Sequence, residues 1–154
     1  MDKHIDLYQS LIGCTIDEIG ISIETLIVKI VPKGKVFWRV KDSKTLQRKM
    51  VLNNKTSIET IKDIYAYRII VNTDQEVYMI LDVISLAFKG KLKKDYIKQP
   101  KRLYSEDPII LRLVQYIAER NSVFFEIQIT TWQYHNMNES CHGNYHLRKY
   151  GPQL

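Results

Sequence analysis

The sequence predicts an α+β or α/β sandwich built on one small mixed sheet, and two observations carry that prediction. Apolar residues recur at three and four in some segments and alternate in others, and the two kinds of segment are interspersed along the chain. The chain has 154 residues, 45% of them apolar, which suffices for one buried core and is too short for two comparable domains. Its two cysteines, Cys14 and Cys141, supply neither a disulfide framework nor a four-thiolate zinc site, so a reducing cytoplasm is the expected compartment.

From Ile5 to Val31 the residues Tyr8, Leu11, Ile12, Ile16, Ile19, Ile23, Leu26, Ile27 and Ile30 keep helical spacing, with breaks expected at Gly13 and Gly20. Pro32-Lys33-Gly34-Lys35 reads as a turn, and Val36 to Lys41 has the β-branched and aromatic content of a strand. Ser43 is the expected cap of a helix through Leu52 that turns Leu46, Met50 and Val51 inward, before a stop at Asn53-Asn54-Lys55. A short helical lead over Ile58 to Lys62 then feeds a strand from Asp63 to Val71.

Thr73-Asp74 caps a helix expected from Gln75 to about Phe88, with Val77, Ile80, Leu81, Ile84 and Phe88 on its buried face. Gly90 to Arg102 is the most basic stretch, which commonly means a solvated loop, although it lies between two ordered segments. Ile109 to Ile117 and Ser122 to Thr130 read as a hairpin joined near Glu119-Arg120-Asn121. In its second strand Phe125, Ile127 and Ile129 alternate with Glu126, Gln128 and Thr130, which puts acid, amide and hydroxyl on one face. From Trp132 the chain is polar and helical toward Tyr150, and Gly151-Pro152 is a stop.

The formal charge of +6, with a sequence pI near 9.2, favours polyanionic partners: nucleotides, nucleic acid or anionic lipid. The apolar stretch Leu26 to Val31 is interrupted by Lys29 and stopped by Pro32, far short of the ~20 residues that cross a bilayer, so no membrane partner is expected.

Two acids are the leading candidates for chemistry. Asp63 opens one apolar strand and Glu126 leads another, and carboxylates fixed on rigid elements suit a divalent metal or a reacting hydroxyl; the competing reading is a pair of solvent-facing edge acids. His135, Cys141, His142 and His146 form a group of metal-ligand type but lack the second close ligand pair of a closed zinc site. There is no glycine-rich phosphate loop, since Gly34 and Gly90 stand alone. Bound phosphates would therefore need side-chain cations, with Arg39, Lys41, Arg48, Lys49 and Lys94 the candidates. Tyr96 and Tyr104 are candidate stacking faces for a base, and equally ordinary core or surface aromatics.

In order, these segments resemble the synthetase domain of the RelA/SpoT family. Arg39-Val40-Lys41 with Thr45-Leu46-Gln47-Arg48-Lys49-Met50 is similar to the family's R-x-K…S-I-x-x-K-M, and Asp63-Ile64-x-Ala66-x-Arg68-Ile69 to its D-[IL]-x-[AG]-x-R-[IV] strand. Lys94-Asp95-Tyr96-Ile97-x-x-Pro100-Lys101 matches K-D-Y-I-x-x-P-K, and Glu126-Ile127-Gln128-Ile129-x-Thr131 matches E-[IV]-Q-I-R-T. His135, Glu139 and His146 to Tyr150 resemble the closing helix.

The resemblance implies a single α+β domain of nucleotidyltransferase-like fold, with a mixed sheet of about five strands flanked by helices. Residues 1–38 would be an N-terminal helical segment packed on the domain, 39–150 the synthetase-like domain and 151–154 a tail. It further implies Mg²⁺-dependent transfer of the β,γ-diphosphate of ATP to the 3′-hydroxyl of GDP or GTP. Asp63 and Glu126 are the implied catalytic and metal-binding residues. Arg39, Lys41, Lys49, Arg68 and Lys94 are the implied ATP and phosphate contacts, and Tyr104, Gln128 and His146 the implied acceptor contacts. Homo-oligomers are common in the family.

The departures from the pattern gather in the acceptor loop. The family's P-K-x-N-G-Y-x-S-x-H becomes Pro100-Lys101-Arg102-Leu103-Tyr104-Ser105-Glu106-Asp107-Pro108, one residue shorter, with Glu106 and Asp107 adding negative charge. Leu92 and Thr130 stand where the family has arginines. Two alternatives follow: transfer of pyrophosphate to the 3′ end of tRNA, and a degenerate domain that binds nucleotide or a partner without turnover.

Overall fold

The computed structural model describes residues 3–52, 58–102 and 110–140. Helices α1 (Lys3–Ile12) and α2 (Ile16–Val28) are separated at Gly13, whose φ of +81° lies in the left-handed region that favours glycine. Thr15 restarts the helix through a reciprocal capping box: the Glu18 amide donates to Thr15 Oγ1 at 3.2 Å and the Thr15 amide to Glu18 Oε1 at 3.0 Å. The break expected at Gly20 does not occur. Gly20 lies inside α2 because the helix passes directly over the Trp38 indole, which a Cβ at that position would meet at 2.6 Å.

Strand β1 (Lys35–Val40) leads to α3 (Ser43–Leu52). The side chain that caps α3 is Asp42 rather than Ser43, for its Oδ1 accepts from the Thr45 amide at 3.0 Å and its Oδ2 from the Thr45 hydroxyl. Leu46 is fully buried, whereas Val51, expected to point inward, is 79% exposed at the helix's far end. A 3₁₀ turn (Ile58–Thr60) precedes β2 (Tyr65–Val71), so Asp63 sits two residues ahead of the strand rather than opening it.

Thr73 and Glu76 form a second capping box at the start of α4 (Asp74–Ala87), whose Val77, Ile80 and Ile84 are completely buried. The basic stretch is not a loop throughout: Gly90–Asp95 is a strand, β3, and Lys101–Arg102 a two-residue strand, β4. Three lysines on an edge strand discourage pairing with another sheet, which is why its composition resembles that of a loop.

The segment expected as one strand over Ile109 to Ile117 divides into β5 (Ile110–Leu111), paired with β4, and β6 (Val114–Arg120). The hairpin from β6 to β7 (Val123–Thr131) turns at Asn121-Ser122, with φ of 53° and 67°, the two left-handed residues of the tight turn that suits strand twist. Glu126 is the fourth residue of β7, inside the strand expected over Ser122 to Thr130. Helix α5 (Trp132–Ser140) follows without a gap.

The main sheet has five strands in the order β1-β2-β7-β6-β3, with β2 and β7 parallel and the other neighbours antiparallel. This is the single mixed-sheet α+β fold that the sequence predicts. Tyr65, Tyr67, Ile69 and Val71 of β2 join Phe125, Ile127 and Ile129 of β7 in a core closed by α1, α2 and α4. Tyrosine hydroxyls tie the helical layer to the sheet: Tyr67 donates to the Ile16 carbonyl at 2.7 Å and Tyr65 to the Cys14 carbonyl at 3.3 Å. Burial pushes the Tyr65 phenol up to about 12, so these groups stay protonated donors.

The packing of α2 and the cap of α3 are both open to test. Gly20→Ala, which in an open helix stabilises by about 1 kcal/mol, is expected here to destabilise by about 1 kcal/mol or more, because overpacking against Trp38 outweighs helix propensity. A rise in urea midpoint for this variant would contradict the α2–β1 packing. Asp42→Ala is expected to cost about 1 kcal/mol of unfolding free energy at pH 7. The Thr45 hydroxyl and amide bonds hold the Asp42 carboxyl below its usual range, so its contribution is present above the unfolded pKa and fades as pH falls through the folded one. The difference between wild type and variant should accordingly shrink in acid titrations of stability.

Candidate active site

The sheet face opposite the helical core is polar at its centre, and strand register builds it row by row. One row runs Phe37, Arg68, Gln128, Gln115 and Lys94 across β1, β2, β7, β6 and β3. The next runs Arg39, Ala66, Glu126, Ile117 and Lys91. The small Ala66 beside Glu126 leaves open the side from which Asp63 approaches, just ahead of β2.

Asp63 is held between two ammonium groups, Lys41 Nζ at 3.0 Å from Oδ2 and Lys49 Nζ at 2.6 Å from Oδ1. Lys41 follows β1, and its amide donates to the Ile64 carbonyl at 2.8 Å, extending the β1–β2 ladder past its last paired residues. Lys49 comes from α3. Burial by itself would raise the Asp63 pKa, but the two lysines outweigh it and keep the carboxyl below the usual range, hence ionised. Desolvation also lowers the Lys41 pKa, against the pull of Asp63.

Glu126 is in the opposite condition. It is 7% exposed, and its carboxylate accepts from Gln115 Nε2 at 3.0 Å and Gln128 Nε2 at 2.9 Å. Burial raises its pKa first and the neighbouring charge of Asp63 second, while Lys49, Lys93 and the Gln128 bond oppose them without reversing the shift. The two carboxyls are thus driven apart in proton affinity, an arrangement that separates a permanently charged acid from one able to take up a proton.

Behind Glu126 the polar side chains are linked in series. Arg68 Nε donates to Gln128 Oε1 at 2.7 Å, and Arg68 Nη1 lies 3.1 Å from His135 Nδ1 on α5. The His135 ring stacks on Phe37 with an interplanar angle of 2° and meets Trp132 edge-on. Each member holds the next in one rotamer.

Of the residues expected at the site, Asp63, Glu126, Lys41, Lys49, Arg68, Gln128, Arg39 and Lys94 lie on this face or at its edge. Arg68 and Gln128 bond to each other, and Lys41 and Lys49 bond to Asp63. Arg39 is exposed and adds positive charge near Lys41. Tyr96 is half-buried, with its amide donating to the Leu113 carbonyl at 2.8 Å. Tyr104, His146, Cys141 and His142 lie outside the described residues. His135 serves a packing and hydrogen-bonding role, and no group of three or more His, Cys, Asp and Glu able to hold a metal occurs among the described residues.

Gln115 joins the site without having been singled out by sequence, and Lys93 joins it as one lysine of the basic stretch, with no place at the acids read for it. Gln115 is legible after the fact as the polar residue between Val114 and Tyr116 in an otherwise apolar strand. Lys93 is not, because the lysine run has no period that marks a face, and the bulge at Leu92/Lys94 that keeps Lys94 beside Gln115 has no signal in it either.

Residues 38–150 match the family model described as the region found in RelA/SpoT proteins. Among solved structures, the chain is similar to small alarmone synthetase 1 from Bacillus subtilis, with a TM-score of 0.71 and 17% identity over 98% of this chain and 83% of that one. It is similar also to that synthetase bound to its product pppGpp, with a TM-score of 0.68 and 18% identity over 99% and 84% of the two chains. A further likeness is to the complex between the Type VI effector Tas1 and its immunity protein, with a TM-score of 0.58 and 19% identity over 85% of this chain and 63% of that one. At such identities the shared property is the fold. The family match spans most of the sequence and contains both acids with the cations around them, so this chain belongs to the RelA/SpoT family.

Proposed function

We propose that this protein is an ATP:guanine-nucleotide 3′-pyrophosphotransferase, Mg²⁺-dependent, that makes alarmones of the (p)ppGpp type. The observation that carries this reading is the pair of neighbouring carboxyls with opposite pKa shifts, Asp63 lowered and Glu126 raised, on a sheet face rich in cations. In the reaction the acceptor 3′-oxygen attacks the β-phosphorus of ATP, the bond from that phosphorus to the α,β-bridging oxygen breaks, and AMP leaves. The hydroxyl proton goes to Glu126, whose raised pKa makes it the stronger base of the two acids. Gln115 and Gln128 aim its carboxylate, and Arg68 aims Gln128.

The donor set suits Mg²⁺, which takes one or two carboxylates and completes its octahedron with substrate phosphate oxygens and water. Asp63 and Glu126 are the residues that would hold it. The chemistry it would supply there is positive charge to offset what develops on the transferring group. Lys41 and Lys49 would exchange their hold on Asp63 for nucleotide phosphate, joined by Arg39 and Lys94. Tyr104 and His146 are proposed on the acceptor side from their positions in the family's motifs.

Asp63→Asn and Glu126→Gln are each expected to lower AMP release from ATP, in the presence of GDP or GTP, by about 10²–10⁴-fold. The assay is chromatographic, with γ-labelled ATP and a scan of acceptors. Wild-type protein that yields no labelled product from any guanine nucleotide with Mg²⁺ would overturn the proposal.

One observation favours a second reading. The edge strand β3 and the turn after it carry Lys91, Lys93, Lys94 and Lys98 beside the cleft, the kind of cationic track that follows a nucleic-acid backbone. In that case the acceptor is the 3′ end of tRNA, and label from γ-labelled ATP should enter bulk tRNA in preference to free nucleotides. Nucleotide binding with no product from either acceptor would instead mark a domain that binds without turnover.

A further inference from the structure

We propose that Lys93 is a phosphate ligand of this site, gripping the diphosphate portion of the bound nucleoside triphosphate. The inference rests on the nucleotide-binding part of the proposed function and goes beyond it, since no motif places a role at this residue.

The geometry begins with the strand register. Lys91 opposes Ile117 and Leu92 opposes Tyr116, but Lys94 opposes Gln115, so one residue of β3 is extra and the alternation of side chains is interrupted at Lys93. Without the bulge, Lys93 would continue the alternation onto the face of Lys91, and Lys94 would fall on the opposite, helix-covered face. With it, Lys94 stays in the row of Gln115 and Gln128, and Lys93 is the extra residue beside it. The charges that act on Lys93 are those of the cleft: Glu126 and Asp63, together with Lys49 and Lys62. Bulges recur beside functional sites because they re-aim one side chain, here that of Lys94, so that two consecutive lysines come to the side of the acids.

The charge balance then leaves Lys93 for a ligand. Asp63 is taken by Lys41 and Lys49 at salt-bridge distance, and Glu126 by the amides of Gln115 and Gln128. Lys62 lies over the Phe124 ring, 5.8 Å from its centroid. Among the described residues Lys93 has no carboxylate within salt-bridge distance. Four lysines thus surround two acids, and Lys93, an exposed residue, is the one whose ammonium is not engaged by a protein group among the described residues. Burial lowers its pKa first, with Glu126 opposing, which agrees with a partly desolvated position in the cleft. A cation so placed gains most from a multiply charged anion that spans both acids, and the β- and γ-phosphates of a nucleotide supply one.

The test is calorimetric binding of α,β-methylene-ATP with Mg²⁺ to the full chain. Lys93→Ala is expected to weaken binding about tenfold or more while leaving AMP binding within twofold, and Lys93→Arg to restore most of the loss. Lys89→Ala removes an equal charge from an exposed lysine beside Glu119 and should change analogue binding less than twofold. The inference is overturned if Lys93→Ala binds the analogue like wild type, if it loses AMP and the analogue equally, or if Lys89→Ala loses as much. It is overturned too if the wild type does not bind the analogue. Turnover assays on the same proteins separate the two proposals: Lys93-dependent binding without product retains this inference and removes the enzymatic one. Product formation with Lys93-independent binding does the reverse.

Discussion

The parallel pairing of β2 with β7 is the constraint on which the site depends. A parallel pair requires a crossover, and here α4, β3 and β6 all lie in the chain between the two strands. The reward is that Ala66 comes opposite Glu126, which brings the segment ahead of β2, with Asp63, to the same acid. Were β2 and β7 antiparallel, the two ends would be opposed and the carboxyls separated by the length of the sheet. The buried face enforces the register. A one-residue slip would turn Tyr67, Ile69, Phe125 and Ile127 out of the core, so the hydrophobic packing under the sheet fixes the chemistry above it.

That chemistry is electrostatic, and the two acids use different means to tolerate burial. Asp63 is kept charged by contact with ammonium groups, whereas among the described residues Glu126 is hydrogen-bonded by neutral amides and therefore carries the desolvation penalty as a raised pKa. Amide donors suit a group that must change protonation state, because they stabilise the carboxylate less than a full positive charge would. The series Gln128, Arg68 and His135 keeps the nearest cationic side chain of β2 one residue removed from Glu126, and the stacking of His135 on Phe37 fixes the outer end of that series. Rigidity at the acid is thus inherited from an aromatic contact on β1 and α5.

Secondary structure is legible in the sequence wherever a period runs uninterrupted. Helix α4, with its capping residue and buried set, can be read from Thr73 to Phe88, and the alternation in β7 by itself places Glu126 and Gln128 on one face. What stays hidden depends on contacts between distant segments. Gly20 marks a close approach to Trp38 rather than a helix end, and sequence spacing gives no sign of the indole. Asp42 caps α3 because its geometry, and not that of Ser43, meets the Thr45 amide. The strand β3 is obscured by its lysines, whose placement follows from being at a sheet edge, a position fixed only by the order of all five strands.

The same edge explains why the site can hold so much positive charge. A lysine-rich strand inside a sheet would have neighbours on both sides, but among the described residues β3 has one on one side only, and that partner, β6, presents Tyr116, Ile117 and Gln115 to it. The repulsion among Lys91, Lys93 and Lys94 is therefore relieved into solvent on the open side. Edge lysines also oppose sheet-to-sheet association, so the charge that protects the fold and the charge proposed to hold a phosphate are carried by the same strand. Gly90 secures the arrangement, since a Cβ there would lie 2.2 Å from the Ile117 carbonyl oxygen, and any larger residue would push the start of β3 away from β6. The position of the cleft's outer cations is set by that backbone contact as much as by the lysines themselves.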